Sequence, residues 1–508
     1  MGARRPHRVR HRPRHVIRRP GSHLLRSPRR GPGPRPAGAR DDRLVRPPRG
    51  GRPAIDPARE AAYEAVAAVH RDDAYANLVL PKLLRDTGVT GRDAAFATEL
   101  TYGTLRQTGT LDAIVAVAAD RAVERIDPPV RDALRIGAYQ LLNMRVGAHA
   151  AVATTVDLVR SLAPGAAGFA NAVLRRVAES DRNEWLSRLA PADPFERAAL
   201  NHAHPQWIVR AFTDALGSLD EAELALDADN LAPPVHLCAR PGLLDPAAFA
   251  ATLRGATVGR YSPFTVVLTG GGDPGGIPAI RDGRAHVQDE GSQLVAAALA
   301  AAPLDGGSGG GRDERWLDLC AGPGGKAGLL GALARTRDAH VTAVEVAHHR
   351  AELVAKATEG LPVYTIHADG RDVGKDTDLP EGGFDRVLVD APCTGLGALR
   401  RRPEARWRRQ PSDLPPLTRL QRELLQAAFR AVRPGGVVAY VTCSPHQAET
   451  EVSVTEAARR SPVDVDLLDA RPFLPASLPD LGTGPTVQLW PHRHGTDAMF
   501  LALLRRAG

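Results

Sequence analysis

The sequence predicts a multidomain chain with an all-α domain first, a small α+β connector second and an α/β domain with a doubly wound parallel sheet last. Three observations predict this order. Apolar residues recur at helical spacing from Pro57 to about Ser180, strand-like and helical patterns mix over residues 185–285, and strands alternate with helices from about His286. The length of 508 residues suits about three domains.

The first residues of the chain predict a disordered tail rich in Arg, Pro and Gly. Residues 1–50 hold 16 Arg and two acidic residues, a net charge of +14, whereas the other 458 residues carry −6. The isoelectric point near 9.7 therefore reflects the tail and says little about the folded part. An RNA tether, a solvated extension and an upstream start codon are all open explanations. We place the boundaries at 1–54, 55–182, 183–285 and 286–508.

Composition excludes several classes of protein. The longest apolar run stops at Pro303, well short of the roughly 18 residues of a membrane span. Neither a CxxC pair nor a His cluster with metal spacing occurs, so we expect no disulfide framework and no metal site. A targeting peptide is disfavoured because no run of 7–15 apolar residues follows the basic start. We expect a cytoplasmic monomer.

The elements follow in chain order. In the first domain, Pro128-Pro129 predicts a helix start and Pro164-Gly165 a helix end. The connector has helical stretches near Trp207–Leu226, strand-like VHLCAR and FTVVLTG, and a turn at GGGDPGG (270–276). The α/β domain has strands in WLDLC, VTAVEV, VYTIHAD, FDRVLVDAP and VVAYVTCS, a loop at 306–311, a turn at Arg433–Gly436, and a closing antiparallel pair, TVQLW and AMFLALL, at the sheet edge.

Polar residues at the predicted strand ends form a candidate ligand site. Ligands of open parallel sheets bind outside the carboxyl ends of the strands. The loop DLCAGPGGK, from Asp318 to Lys326, has glycines that admit close backbone approach, and Glu345 follows about 20 residues later, where a carboxylate binds ribose hydroxyls. Asp369 and Asp390 end the next two strands. NAD and S-adenosylmethionine would both satisfy this nucleoside-binding arrangement.

The cysteines favour a methyl donor. Cys393 follows the fourth strand and Cys443 the fifth, so adjacent strand ends would bring both thiols to one crevice. A thiolate that adds to carbon 6 of a pyrimidine activates carbon 5 for methylation. Asp390, three residues before Cys393, is placed to hydrogen-bond ring nitrogen 3, for which it would need to be protonated and its pKa raised.

The motifs carry a family resemblance. DLCAGPGGK, DAPCTGLG with RRRPEARW, VTCSPHQAETE, HPQW (204–207), QDEGSQL (288–294) and HGTD (494–497) resemble the RNA 5-methylcytosine methyltransferases of the Sun/NOL/NOP family. YANLVLPKLL, FATELTYGTLR and FANAVLRR look like the RNA-binding fold of the antitermination factor NusB. A NusB-like domain before the catalytic domain is similar to the small-subunit methyltransferase B group. The resemblance covers roughly residues 55–508.

The resemblance implies roles for particular residues. It implies Cys443 as nucleophile, Cys393 as the thiol that aids product release, and a class I, Rossmann-like methyltransferase domain that acts on 16S ribosomal RNA before the subunit is fully assembled. The catalytic candidates are Cys443, Cys393, Asp390 and Lys326. The candidates for binding S-adenosylmethionine are Cys320, Ala321, Gly322, Pro323, Gly324, Gly325, Lys326, Glu345, Asp369 and Asp390.

This sequence departs from the family pattern at a few positions. Gly322 and Ala327 stand where Ala and Thr are usual, Glu345 where Asp is usual, and Ala498-Met499 where Gly-Phe is usual. The longer Glu345 is expected to shift the ribose geometry slightly.

Alternative functions stay open at this point. A non-catalytic RNA-binding or antitermination factor is opposed by the intact catalytic candidates, and an NAD-dependent dehydrogenase by the lack of a catalytic His or Tyr-Lys pair. Transfer RNA is an alternative substrate. The basic stretch Arg400–Arg409, with Trp407 among six arginines, suggests phosphate contacts with a stacking Trp, or a solvated charged loop.

Overall fold

The computed structural model describes most of the chain. The described residues are 55–269, 273–305, 313–375 and 378–508. The predicted tail, the start of the turn expected at 270–276 and the loop expected at 306–311 lie outside the described residues. Residues Ala54–Gly508 form a single unit that includes all the elements given below.

Helices fill the first part of the described chain. They are α1 (Pro57–Arg71), α2 (Ala76–Thr87), α3 (Gly91–Arg106), α4 (Thr108–Ala119), α5 (Pro128–Asn143), α6 (Ala148–Leu162), α7 (Ala167–Val177), α8 (Arg182–Leu189), α9 (Pro194–His202), α10 (Gln206–Leu216) and α11 (Leu219–Asn230). Asp56 caps α1 by accepting a hydrogen bond from the Arg59 amide at 3.0 Å. The start of α5 at Pro128 and the end of α6 before Pro164 are as predicted.

Small aliphatic side chains pack these helices together. The fully buried core includes Ala62, Val66, Leu100, Leu134 and Leu174. Close approach of helices is what an Ala-rich, aromatic-poor sequence allows. The all-α fold class of this region is confirmed. Among the described helices, none combines the length and the apolar character that crossing a bilayer requires.

The connector contains a four-stranded antiparallel sheet. Its elements are β1 (Val235–Ala239), α12 (Pro246–Ala251), β2 (Ala256–Val258), β3 (Thr265–Leu268), α13 (Pro278–Arg281) and β4 (Ala285–Val287). The strand order is β2-β3-β1-β4, so β1 is hydrogen-bonded on both edges. The strands expected in VHLCAR and FTVVLTG are β1 and β3. Cys238 lies buried in β1, away from the other thiols, as a small hydrophobic residue.

An α/β domain completes the chain. Its strands are β5 (Arg315–Asp318), β6 (His340–Glu345), β7 (Val363–His367), β8 (Phe384–Asp390), β9 (Val432–Thr442), β10 (Val465–Leu468), β11 (Val487–Gln488) and β12 (Phe500–Arg506). Its helices are α14 (Glu290–Ala301), α15 (Gly325–Arg335), α16 (His348–Ala357), α17 (Ala405–Arg408), α18 (Leu414–Ala431), α19 (Glu451–Arg459) and α20 (Pro491–His494). The predicted α/β class is confirmed.

The order of the strands in the sheet determines where the ligand crevice lies. The order is β10-β12-β9-β8-β5-β6-β7, and the five strands from β9 to β7 are parallel. β5 lies between β6 and β8, so the chain reverses its direction of travel across the sheet at β5. A crevice opens outside the carboxyl ends of the strands at such a point. The loop after β5 and the loops after β8 and β9 meet there.

Two local predictions need correction. Arg433–Gly436 does not form a turn before the fifth strand but lies inside β9, where the pairing with β8 shifts between Phe384 and Arg386. The extra residues make a bulge, with Gly435 at φ 75°. The closing strands β11 and β12 do pair antiparallel, but β12 is an inner strand between β10 and β9, because β10 takes the edge.

The basic stretch Arg400–Arg409 is mostly internal. Arg406 is fully buried and donates to the backbone carbonyls of Arg106 and Asp229. The Trp407 indole donates to the Leu105 carbonyl at 3.1 Å. The expected stacking of Trp407 on RNA is therefore wrong, since this side chain joins the helical domain to the α/β domain.

Candidate active site

The two predicted thiols lie together at the ends of neighbouring strands. Cys393 follows β8 and Cys443 follows β9, and the two sulfur atoms are 3.4 Å apart. Both side chains are partly exposed, so the crevice reaches them. The register of β8 against β9, which pairs Asp390 with Val441, brings the strand ends level. The structure thus brings together the two cysteines that the sequence singled out.

The two thiols ionise unequally. A hydrogen bond from the Cys393 thiol lowers the pKa of Cys443, and the charges of Lys326 and Arg402 act in the same direction, against burial and the charge of Asp390. The same hydrogen bond raises the pKa of Cys393, as do burial and the charge of Glu449. Cys443 is therefore the thiol that ionises first, which suits a nucleophile.

Lys326 and Asp390 form an ion pair beside the thiols. Lys326 Nζ donates to Asp390 Oδ2 at 2.8 Å. Burial alone would lower the pKa of Lys326, but the Asp390 carboxylate raises it above the ordinary value. Asp390 therefore accepts a charge-assisted hydrogen bond from Lys326 beside the two thiols.

Asp318 is the carboxyl group in this region with a raised pKa. It is fully buried at the end of β5, and Oδ1 accepts a hydrogen bond from the Cys320 amide at 3.2 Å. Burial raises the pKa of Asp318 to about 7, and the charge of Asp390 adds to the rise. Oδ2 has no hydrogen-bond partner among the described residues. Such a buried acceptor or donor suits a ligand group that enters the crevice.

Glu345 braces the loop that follows β5. Its Oε2 accepts from the Gly322 amide at 3.2 Å and its Oε1 from the Ala347 amide at 2.8 Å, while Arg350 pairs with Oε1 at 2.7 Å. A Cβ atom at position 322 would lie 2.2 Å from Glu345 Oε2. The two departures from the family pattern therefore fit each other, since Gly322 leaves the space that the longer Glu345 occupies.

The remaining cofactor candidates take different positions. The loop runs from Cys320 to the start of α15 at Gly325. The amides of Cys320, Ala321, Gly322 and Gly324 all donate to acceptors within the protein, so they fix the shape of the loop. Burial raises the pKa of Cys320 well above its ordinary value, so this thiol stays neutral. Asp369 forms an ion pair with Arg371 at 2.6 Å, and Arg371 also binds Glu423. The pairing leaves Asp369 28% exposed at the end of the neighbouring strand.

Sequence reasoning missed Glu449. This fully buried carboxylate accepts from the Thr394 amide at 2.8 Å and from the Ser444 hydroxyl at 2.7 Å, and the Thr394 hydroxyl also donates to it. Gln421 on α18 donates to Glu449 and to the Pro392 carbonyl. Glu449 therefore ties the loop of Cys393 to the loop of Cys443. The feature of the sequence that could have identified Glu449 is its position six residues after Cys443 in the motif VTCSPHQAETE.

Residues of two family-like motifs contact the segment that follows Cys393. Asp289 and Asp497, from QDEGSQL and HGTD, are buried and share Arg400 and Arg401 as ion-pair partners. The Gly397 amide donates to the Cys443 carbonyl at 2.8 Å, and the Gly397 carbonyl accepts from Ala498 at 2.8 Å. Among the described residues, no group of three or more His, Cys, Asp or Glu side chains could hold a metal ion.

Comparison with known proteins decides the family. The family model described as "16S rRNA methyltransferase RsmB/F" matches residues 311–505, and the NusB family model matches 56–179. Ribosomal RNA small subunit methyltransferase B of Pseudomonas putida is 34% identical over 80% of this chain and 89% of that protein. The Erwinia tasmaniensis protein of the same name is 30% identical over 84% of this chain and 93% of that protein. This chain belongs to the RsmB/F family.

Other relatives agree with this membership. A Mycobacterium tuberculosis protein described as a methyltransferase is 59% identical over 89% of this chain and 97% of that protein. The crystal structure of PH0851 shares the fold, with a TM-score of 0.74 and 23% identity over 90% of this chain and all of that one. As a family member, the chain is an S-adenosylmethionine-dependent RNA methyltransferase with an N-terminal NusB domain.

The residues of the crevice fit S-adenosylmethionine. Glu345 offers carboxylate oxygens at the end of β6, and Asp318 offers a buried oxygen with no partner among the described residues. A nucleoside with hydroxyl and amino donors needs acceptors of this kind. Glu345 and Asp318 are the residues that would hold the hydroxyl and amino groups.

Proposed function

We propose that this enzyme methylates carbon 5 of a cytosine in 16S ribosomal RNA through a covalent bond between Cys443 and carbon 6 of the base. The observation that carries the proposal is the pair of thiols 3.4 Å apart, one with a lowered and one with a raised pKa, beside the Lys326–Asp390 ion pair. Methylation of a ribose oxygen or an exocyclic nitrogen needs no thiol. Methylation of carbon 5 of a pyrimidine needs a thiolate, because the ring must first be activated, and the second thiol is proposed to act when the product is released.

The first step uses the ionised thiol. The Cys443 thiolate adds to carbon 6, and the electron pair of the carbon 5–carbon 6 bond moves into the ring towards nitrogen 3 and the carbonyl oxygen. Lys326, whose charge acts on Cys443, is proposed to offset this developing charge. Asp390 holds the Lys326 ammonium in place through the 2.8 Å contact. Carbon 5 is then nucleophilic.

S-adenosylmethionine, when bound, supplies the methyl group that carbon 5 takes. The Cys320–Lys326 loop, Glu345, Asp369 and Asp390 are proposed to hold it, in agreement with their positions at the strand ends. The Cys320 thiol is proposed as a neutral wall of this site, since its pKa is raised.

The last step releases the product. The proton on carbon 5 passes to solvent water as the carbon 5–carbon 6 double bond forms again, and the bond between carbon 6 and sulfur breaks with its electron pair returning to Cys443 as the thiolate. The Cys393 thiol lies 3.4 Å from the Cys443 sulfur and is proposed to assist this step by donating a hydrogen bond to the departing thiolate.

The substrate assignment has a direct test. Bisulfite sequencing of total RNA from a strain without this gene should show one 16S cytosine that has lost protection, restored by the wild-type gene and not by Cys443→Ala. A lost signal in transfer RNA with 16S RNA unchanged would overturn the 16S assignment. Loss in no RNA would overturn carbon 5 methylation. We further propose action as a cytoplasmic monomer, before subunit assembly is complete, and the three-domain division of residues 55–508.

A further inference from the structure

The arginine segment Arg400–Arg409 starts and ends at the Cys393 loop. It leaves that loop after the short turn Leu396–Ala398, and it returns where Arg409 Nε donates to the Thr394 carbonyl at 3.1 Å. Between these points the segment contacts the helical domain through Trp407 and Leu105. The helical domain therefore lies against the wall of the crevice that holds the thiols.

One arginine of this segment, Arg402, is exposed, whereas ion pairs or hydrogen bonds hold the side chains of the other five. Arg400 and Arg401 bind buried carboxylates, and Arg406, Arg408 and Arg409 donate to backbone carbonyls. Arg402 is exposed. Its guanidinium carbon lies 5.6 Å from the centroid of the Tyr75 ring, and its charge also acts on the buried carboxyl group of Glu404.

Tyr75 belongs to the helical domain and is held rigidly there. It stands at the N-terminus of α2, and Arg408 approaches its ring at 5.4 Å. Arg408 is itself fixed by the Val69 carbonyl at 2.8 Å and by the Ala74 carbonyl. Even so, 45% of Tyr75 is exposed, and Leu78, three residues along the same helix, is 65% exposed.

Unpaired nucleic acid binds to exposed aromatic rings that lie beside an exposed cationic side chain. Bases stack on tyrosine rings, and arginine contacts the neighbouring phosphate. Arg402 also lies close enough to Cys443 for its charge to affect that thiol. We propose that Tyr75 and Arg402 form a stacking site for an unpaired nucleotide that flanks the target base, in which Arg402 moves from the Tyr75 ring to the phosphate and the base takes its place on the ring. The proposal rests on the proposed function, because the ligand is the RNA substrate.

Both domains contribute to the proposed stacking site. The α/β domain supplies the arginine and the helical domain supplies the ring, so the binding surface exists only when both are docked. A nucleotide held here would hold the neighbouring base at the crevice. Loss of the site should therefore weaken RNA binding and leave cofactor binding unchanged.

Three variants test the proposal on the full chain, with an unmodified 16S RNA transcript as the probe. Tyr75→Leu should weaken RNA binding roughly tenfold, and Tyr75→Phe should restore it, because a phenyl ring also stacks. Arg402→Gln should weaken binding more at low than at high salt and reduce the slope of log affinity against log salt by about one. The affinity for S-adenosylmethionine, measured by calorimetry, should match wild type in all three.

Arg121→Gln is the matched control. Arg121 is an exposed arginine over Phe169 in the same helical domain, at 5.4 Å, so the change removes the same kind of pair elsewhere. Arg121→Gln should reduce the affinity for the RNA transcript by less than twofold. Wild-type RNA affinity and salt slope in both Tyr75→Leu and Arg402→Gln would overturn the stacking site. A wild-type enzyme that binds this RNA without methylating it would contradict the proposed function, while the binding comparison would still decide the site.

Discussion

The two thiols differ mainly because the hydrogen bond between them acts on each in an opposite direction. It lowers the pKa of Cys443 and raises that of Cys393, and it is the largest cause of both shifts. The charges of Lys326 and Arg402 also favour the Cys443 thiolate, against burial and a neighbouring carboxylate, whereas the buried Glu449 disfavours ionisation of Cys393. Two chemically identical side chains 3.4 Å apart therefore differ in their tendency to ionise.

Glu449→Gln tests this charge arrangement. The amide keeps the shape of the side chain but removes the negative charge, so the pKa of Cys393 should fall. Alkylation of Cys393 by iodoacetamide, measured against pH in a Cys443→Ser background, should then shift to lower pH. The background removes the Cys443 thiol, whose hydrogen bond is the largest cause of the raised pKa. Burial also acts on Cys393, but it is the same in both proteins.

The exposed neighbour Glu451 provides the control. Glu451→Gln should leave the alkylation profile of Cys393 where it was. An unchanged profile in Glu449→Gln would show that Glu449 only holds the loops together through Thr394 and Ser444.

Gly322 and Glu345 should behave as a coupled pair. Gly322→Ala places a Cβ 2.2 Å from Glu345 Oε2 and should weaken S-adenosylmethionine binding by about 1–3 kcal/mol, because the loop and the carboxylate must separate. Adding Glu345→Asp shortens the side chain and should recover most of the loss. Calorimetric titration of the two single variants and the double variant measures the coupling. Additive losses would contradict the pairing, and Gly168→Ala, with open space around its Cβ, is the control.

At the scale of the elements, the neighbouring ends of β8 and β9 were predictable and local exceptions were not. The alternation of strands and helices predicted that β8 and β9 end side by side, and their cysteines do meet. Arg433–Gly436 has the composition of a turn, yet it is a bulge inside β9, with the carbonyl of Asp305 lying 2.5 Å from where a Cβ at Gly435 would be. That contact involves a residue 130 positions away, which local sequence does not reveal.

The arginine segment is a second case in which local sequence does not reveal a long-range contact. Six arginines in ten residues are typical of an exposed basic loop, yet Arg406 is fully buried. Its partners are the carbonyls of Arg106 and Asp229, 300 and 177 residues away in the chain. Glu449 was not recognisable as a positioning residue, because its partner Thr394 comes from another loop. The family motifs indicate candidate reacting groups but not the residues that hold them.

At the scale of the whole molecule, Asp229 links pH to stability. Burial raises the pKa of Asp229 to about 7, although Arg406 opposes the rise. In the unfolded chain this carboxyl ionises near pH 4, so between pH 4 and 7 the unfolded state loses a proton that the folded state keeps. Folding stability is therefore lost as pH rises through this range. The buried His204, Arg106, Arg400 and Asp497 also face this region.

Asp229→Asn should remove this loss. Urea unfolding of the variant and wild type should show a stability difference that favours the variant by about 2–3 kcal/mol more at pH 8 than at pH 5. The comparison cancels the titration of His204 to first order, since both proteins contain it. Asp227→Asn, at an exposed side chain two residues away, should show no such change. An equal difference at both pH values would contradict the raised pKa.

We expect the N-terminal tail to contribute to RNA affinity rather than to the chemistry. With a net charge of +14 over residues 1–50, it should add sequence-independent affinity for RNA. Deletion of residues 1–54 should weaken RNA binding and flatten its salt dependence without abolishing methylation. Filter binding at several salt concentrations, with turnover at saturating RNA, measures both effects. Complete loss of turnover at saturating RNA would contradict a purely electrostatic role.

The central claim is that the two neighbouring thiols act in sequence on one base. Cys393→Ala, incubated with substrate RNA and S-adenosylmethionine, should attack and then stall, leaving RNA attached to Cys443 as a slowly migrating band on a denaturing gel. Cys443→Ala should give neither the band nor methylation. A band from Cys443→Ala and none from Cys393→Ala would reverse the roles, and intact methylation in both variants without a band would contradict the thiol mechanism.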